Sequence, residues 1–448
     1  MDGNQSEESF HMKGNFAPVG AEVEAFDLAV DGAIPPELDG LYVRNGSNPK
    51  SGDPGHWFFG DGMLHGVRLK GGKALWFRNR WVRTRVFDGA NRLAPQNILD
   101  RTVSSANTNI IQHAGRLFAL EEGAFPTQVQ ADLSTFGPYD FDGRLTTSFT
   151  AHPKICPETG EMHAFGYGFA PPFLTYHHID ASGALMRSVE IPVSGPTMHH
   201  DFVMTRRHVI FMDLPVVFDV MIAIKGGMPF RWSDDYGARL LILPRGGPIE
   251  ALRTVTVAPC YVFHPANAYE EPDGTIVIDV VRYPELWRHR SQFAAEDAAH
   301  LHRWRIPPGA DRAHEEQLSD RLTEFPRIND QRAGLAARFT YMAAMTPGHP
   351  KLGFNRIAKH DGRTGEVAEH AFGPGRLVSE FTFVPAGSGE DHGYLMGFVF
   401  DAATDRSDLV LLDAQNPSTA PIARVRLPQR VPQGFHGGFI PANAVGMA

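Results

Sequence analysis

Histidine is abundant in this chain, with 21 in 448 residues, and a few lie in settings where imidazole could do chemistry. His152 sits in TAHPKICPETGEMHAFGY just ahead of Pro157 and Gly160, His264 follows the apolar run of CYVFHPANAYEE, and His436 lies in QGFHGGFIP. TMHHDFVM sets His199 and His200 side by side before Asp201. In an extended segment adjacent side chains point to opposite faces, so only one of that pair can serve a given site. Imidazole suits iron, zinc, copper and nickel. No HExxH or paired CxxC is present, and each histidine taken singly is equally a packing residue. Counted through His200, the separations are 48, 64 and 172 residues. Ligands so scattered converge only if the strands that carry them radiate from a common axis.

The surrounding sequence is built to supply such strands. Short runs rich in Val, Ile, Phe and Leu recur from residue 40 onward, among them HVIFMDLP, ARLLILPRGG, GTIVIDVV and GYLMGFVFD. Gly, Pro, Asp or Asn bound each run, which is strand-and-turn chemistry. The 45 glycines and 34 prolines argue against long helices. Two helices are expected, over 291–301 (SQFAAEDAAHL) and within VVFDVMIAI. No composition break marks a linker, so residues 1–448 read as one domain with a flexible segment over 1–20. Many short strands at this length fit an all-β propeller, whose radial repetition manages sheet edges.

Composition excludes several classes. Hydrophobic residues at 42% and charged residues at 21% describe a globular protein. A net charge of −9 offers no basic stripe for nucleic acid. Two cysteines, Cys156 and Cys260, give no disulfide framework, so a cytoplasmic setting is expected. The acidic start lacks the pattern of a signal peptide, and no apolar run reaches the length of a spanning helix.

Ten motifs, in order, carry a resemblance over nearly the whole chain: LDGLYVRNGSNP (38–49), HWFFGDGMLHGVRL (56–69), SANTNII (105–111), LFALEEGAFP (117–126), FTAHPKICPETGE (149–161), MHHDFVMTRRHVIFMDLP (198–215), YVFHPANAYEE (261–271), EFPRIN (324–329), SEFTFVP (379–385) and FHGGFIP (435–441). Together they resemble the carotenoid cleavage oxygenase family, which includes apocarotenoid oxygenases, retinoid isomerase and stilbene-cleaving oxygenases. The resemblance implies a seven-bladed β-propeller with a cap of helices and loops over the face that bears the metal. It implies one Fe(2+) held by His152, His200, His264 and His436, selecting His200 because the family ligand directly precedes the aspartate. It also implies three glutamates that orient ligand imidazoles, at Glu122, Glu324 and Glu380. His65, His163, His177, His178, His199 and His208 have no ligand match and are expected to be structural, with His199 tolerant of substitution. Asp61 and Gly62 are expected to shape a turn, and Asn107 and Asn109 to satisfy backbone groups.

The implied reaction is scission by O2 of an electron-rich carbon-carbon double bond into two carbonyl products, with no organic cofactor and no acid-base side chain. Orienting the double bond and excluding water is then the protein's task. A hydrophobic substrate requires an apolar tunnel, and Phe125, Phe263 and Phe435 adjoin the site motifs. Segment 214–230 (LPVVFDVMIAIKGGMPF) is either a patch that makes peripheral contact with a membrane or a buried helix. Stilbene-cleaving members resemble this chain but carry a lysine just before the first orienting glutamate. Here Glu121 stands in that place and would repel a phenolate. RLAPQNILDRTVSS, before SANTN, also holds no tyrosine, so a carotenoid or apocarotenoid is the expected substrate. A hydrolytic propeller would need carboxylate ligands around its metal, and a noncatalytic one would need no metal at all.

Overall fold

The strand-and-turn runs close into seven sheets around one axis. The computed structural model describes residues 9–92, 94–291, 298–346 and 353–447. Blade 1 holds Glu24–Phe26, Gly40–Ser47, Gly62–Lys70, Lys73–Trp81 and Gly437–Pro441. Blade 2 runs from Asn109–His113 to Thr135–Pro138, blade 3 from Lys154–Ile155 to Leu185–Glu190, and blade 4 from Phe202–Met204 to Arg253–Thr256. Blade 5 runs from Tyr261–Glu270 to His314–Gln317 and blade 6 from Thr323–Arg327 to Val367–Ala371. Blade 7 combines Arg376–Val378, Thr382–Pro385, Gly393–Asp401, Arg406–Asp413 and Ala423–Arg426 with the early strand Val30–Gly32.

Neighbouring strands within each blade are antiparallel. The turns between them follow local chemistry. In KGGK, Gly71 and Gly72 take φ of +56° and +75°, and Lys70 pairs with Lys73, the geometry of a two-residue hairpin that only glycine adopts without strain. Because each sheet packs against a blade on both sides, its central strands are buried on both faces rather than on alternate residues. Ile276–Tyr283 (IVIDVVRY) is buried at seven of its eight positions. The core therefore lies between sheets, the largest cluster joining blades 4 and 5 around the fully buried Trp304.

The ring closes at both ends of the chain. Val30–Gly32 pairs with Ala423–Arg426 on blade 7, and Gly437–Pro441 pairs with Gly40–Ser47 on blade 1. Each end thus completes a blade begun by the other, which removes the open edges that a radial array would otherwise expose.

The cap is mostly loop. Among the described residues there is one α-helix, Val220–Ile224, set between the strands of the hairpin Val216–Phe218 and Phe230–Trp232. Asp219 starts it by accepting from the backbone N–H of Met221 (2.8 Å) and Ile222 (3.3 Å), and Arg231 donates to the same carboxylate at 2.7 Å. The second expected helix, 291–301, falls largely on residues 292–297, outside those described; its last two residues, His300 and Leu301, open the strand His300–Ile306. Residues 9–20 pack rather than trail: His11 bonds Asp53 at 2.7 Å, Asn15 donates to Gln433 at 3.2 Å, and Phe16 meets Trp57 edge-on at 5.2 Å.

Candidate metal centre

The first strands of successive blades lie side by side about the axis, and every blade places one acidic or imidazole side chain at its inner end. Blades 1, 3, 4 and 5 supply His436, His152, His200 and His264; blades 2, 6 and 7 supply Glu122, Glu324 and Glu380. His152, His200 and His436 lie one or two residues ahead of their strands. His264 lies inside its strand, where register slips between Val262 and Pro265, so a bulge turns its ring inward.

The four imidazoles form one cluster whose ligand atoms all lie within 4.8 Å of one another. The Nε2 of His264 is 3.1 Å from the Nε2 of both His200 and His436. Nitrogens about 2 Å from a shared ion sit about 3 Å apart when adjacent, so this spacing fits a metal. The carboxylates fix which nitrogen faces in. Glu122 accepts from His200 Nδ1, Glu324 from His264 Nδ1 (2.5 Å) and Glu380 from His436 Nδ1 (3.1 Å), leaving three Nε2 lone pairs aimed at the axis. His152 Nε2 is buried with no hydrogen-bond partner among the described residues. An orphaned acceptor facing three others is the donor set of a cation.

Each carboxylate is held in turn. Tyr167 donates to Glu122 at 2.5 Å; Tyr283 (3.1 Å) and the Phe325 N–H (2.5 Å) donate to Glu324; the Gly437 N–H (3.0 Å) and Arg327 (3.5 Å) donate to Glu380. Burial raises the Glu380 carboxyl, but Arg327 and His436 outweigh it and bring it down to about 2. Burial and the neighbouring imidazoles push His152 well below its ordinary value, and burial takes His436 down to about 4. Burial also lowers His264, but Glu324 more than offsets it and the net shift is upward. Two imidazoles thus favour the neutral form a metal requires. Asn109 supports the site from below by donating to the carbonyl of Ala151, next to His152, at 2.8 Å.

Above the cluster lies a cavity of about 940 Å³, lined by aromatic and aliphatic side chains. Phe263 and Phe435 line it, as their motifs suggest. Phe125 does not: it packs in the blade 2–3 interior with Phe118, Phe141 and Phe149. Phe325, unassigned from sequence, takes φ of +54° and stacks on His264 at 5.3 Å. A left-handed phenylalanine is strained, and here that backbone aims both its N–H at Glu324 and its ring at the ligand. Trp57 and Phe58, in the quoted HWFFGDG, also line the cavity.

The remaining expectations divide. His199 points away from His200, toward Thr197 (2.9 Å), but it is buried, so the expected tolerance to substitution does not follow. His163 bonds Tyr176 (2.7 Å), His177 bonds Thr147 and Ser188 (2.9 Å each), and His208 bonds Glu270 (2.7 Å), all structural roles. Asn107 donates to the carbonyls of Phe58 and Gly60. Glu121 is not a bare carboxylate: Arg92 donates to it at 2.6 Å, so its charge is balanced and its repulsion of a phenolate is weakened. The helix Val220–Ile224 is not buried; Val220 and Ile224 stand 56% and 73% exposed at the cavity rim, which removes the buried-helix reading of 214–230.

Comparison with known proteins agrees with this geometry. The family model described as RPE65, retinal pigment epithelial membrane protein, matches residues 16–441. A carotenoid cleavage oxygenase of Mycobacterium tuberculosis is 38% identical, the match covering 97% of this chain and 98% of that one. A carotenoid 9,10(9',10')-cleavage dioxygenase of Arabidopsis thaliana is 36% identical over 96% of this chain and 89% of its own length. Among solved structures, a lignostilbene dioxygenase of Pseudomonas brassicacearum superposes with a TM-score of 0.87 at 27% identity, covering 97% of this chain and 99% of that one. Cobalt-substituted apocarotenoid oxygenase of Synechocystis superposes with a TM-score of 0.84 at 27% identity, covering 95% and 97%. Seven blades, an axial four-histidine cluster and matches spanning almost the whole chain place this protein in the carotenoid cleavage oxygenase family, as an oxygen-incorporating oxidoreductase.

Proposed function

We propose that this protein is a non-haem iron(II) dioxygenase that cleaves a conjugated double bond of a carotenoid or apocarotenoid into two carbonyl products. The observation that carries the reading is four clustered imidazoles, three of them oriented by carboxylates and opening onto a mostly apolar cavity. Ferrous iron bound there would supply the redox chemistry that lets dioxygen react with a double bond.

The chain's own residues do the rest. Glu122, Glu324 and Glu380 keep the Nδ1 protons on His200, His264 and His436, so the ligands present fixed lone pairs. Burial and the adjoining Glu122 hold the Tyr167 hydroxyl far above its ordinary value, so it stays a donor and does not act as a base. Phe263, Phe325, Phe435 and Trp57 offer aromatic faces that clamp a flat polyene and exclude water. Regiospecificity is then a matter of register along the cavity.

The rim gives a route for such a substrate. Ile98, Phe169, Val220 and Ile224 border the mouth and are exposed, a surface that suits the interface of a bilayer. The test is anaerobic loading with ferrous iron, then aerobic incubation with carotenoids, apocarotenals and hydroxystilbenes. Aldehydes from the polyenes are expected. Iron far below one per chain with no aldehyde from any compound refutes the reading; aldehydes from stilbenes alone refute the substrate choice.

A further inference from the structure

We infer that Arg101 binds an oxidised end of the substrate, so that the protein selects a polyene already ending in a carbonyl or carboxylate; this rests on the cavity being the substrate site proposed above. Arg101 lines the cavity, is only partly buried, and follows Ile98 at the rim by three residues. Its Nη1 donates to the Gly123 carbonyl at 3.1 Å. Among the described residues its guanidinium has no carboxylate within ion-pair distance. The nearby acids are already paired: Arg92 donates to Glu121 at 2.6 Å, and Arg85 and Thr102 hold Asp100. Burial pushes the Arg101 guanidinium below its ordinary value; Glu121 opposes this and Arg92 adds to it. A partly buried cation whose one partner is a backbone carbonyl gains from any anion or carbonyl oxygen that reaches it.

The approach to the guanidinium is open. Gly168 also lines the cavity, beside the exposed rim residue Phe169. Its own chain neighbours aside, a Cβ on Gly168 would meet nothing nearer than Arg101 Nη2, at 3.9 Å. The space beside Nη2 therefore admits a ligand atom.

The chemistry of the guanidinium selects its ligand. It donates and never accepts, in a planar fork that a carboxylate matches with two hydrogen bonds and a carbonyl oxygen with one. A hydrocarbon end offers no acceptor, and an ammonium would meet like charge. The rest of the cavity is mostly apolar, so the ligand is a long apolar chain oxidised at one end. Arg101 is tied to Gly123, the residue after Glu122, whose carboxylate holds His200. An end group docked there sets which part of the polyene lies against the imidazole cluster. Such a ligand has been oxidised once before it arrives, so the reaction that supplies it is the scission or terminal oxidation of a polyene.

The test is equilibrium binding to the metal-free protein, read by quenching of its tryptophan fluorescence, since Trp57 lines the cavity. Three probes of one polyene length are titrated: an apocarotenoic acid, the apocarotenal, and the hydrocarbon that ends in a methyl group. The acid or the aldehyde is expected to bind about 10- to 100-fold more tightly than the hydrocarbon, and whichever is preferred identifies the oxidation state of the end. Arg101→Met should erase that ratio, and Arg101→Lys, which keeps the charge but not the fork, should leave an intermediate one. Gly168→Asp sets a carboxylate beside the guanidinium and should erase the ratio without removing Arg101. Equal affinities for all three probes in the unaltered protein overturn the inference without any variant, as does a ratio that survives Arg101→Met. Failure of the iron-loaded protein to release aldehydes leaves these binding ratios untouched and counts against the proposed reaction alone.

Discussion

His199 and His200 are neighbours with opposite fates. His200 faces the axis with Nδ1 on Glu122, while His199 turns into the blade and bonds Thr197. His200→Ala is therefore expected to abolish stoichiometric iron after anaerobic loading. His199→Ala should keep the iron but lose about 2–4 kcal/mol of stability in denaturant unfolding, because it leaves a cavity and an unpaired polar group. Glu324→Ala removes the acceptor of the His264 Nδ1 proton, and a fall of about 10- to 100-fold in iron affinity is expected by chelator competition. The four histidines that cluster on the axis and the carboxylates beside them could be named from the family's motifs, because those motifs fix them locally. Arg92 with Glu121 could not, since 29 residues separate them and only the fold brings the guanidinium across. Nor could Phe325, whose role depends on a left-handed backbone that no residue pattern announces. Phe125 misled because nearness in sequence to Glu122 is not nearness in space: three residues along, the chain has turned into the blade interior.

Among the elements, the hairpin that carries Val220–Ile224 shows what pattern reading can and cannot give. Its apolar run announces a short helix, but which face meets solvent depends on where the hairpin sits. It sits at the cavity mouth with Val220, Met221 and Ile224 outward. Ile224→Asp is expected to weaken co-sedimentation with phospholipid vesicles several-fold while leaving thermal stability unchanged, because the residue is 73% exposed and a charge there resists entry into the bilayer interface. Strands were readable as runs bounded by turn residues. Their grouping into blades was not, because Val30–Gly32 and Gly437–Pro441 join sheets built from the far end of the chain.

For the whole molecule, neighbouring blades are also tied by charge. Glu270, at the end of the strand that carries His264, reaches the turn of blade 4 and accepts from Thr205 (2.5 Å), His208 (2.7 Å) and Arg207. Burial alone would raise its carboxyl, but these donors bring it down to about 2. A carboxyl whose folded value lies below its unfolded one stabilises the native state above pH 5. That contribution is lost as pH falls from about 4.5 toward 2. Glu270→Gln is expected to lower stability at neutral pH and flatten this acid limb when melting temperature is followed against pH.

The closing strand Gly437–Pro441 begins at the residue after His436 and pairs with Gly40–Ser47. During synthesis, a nascent chain that has emerged through residue 435 carries three of the four imidazoles and all three orienting carboxylates, yet still lacks the second of its two clasps. The last imidazole and the last clasp arrive together, so the full set of four imidazoles comes into being only as that clasp forms.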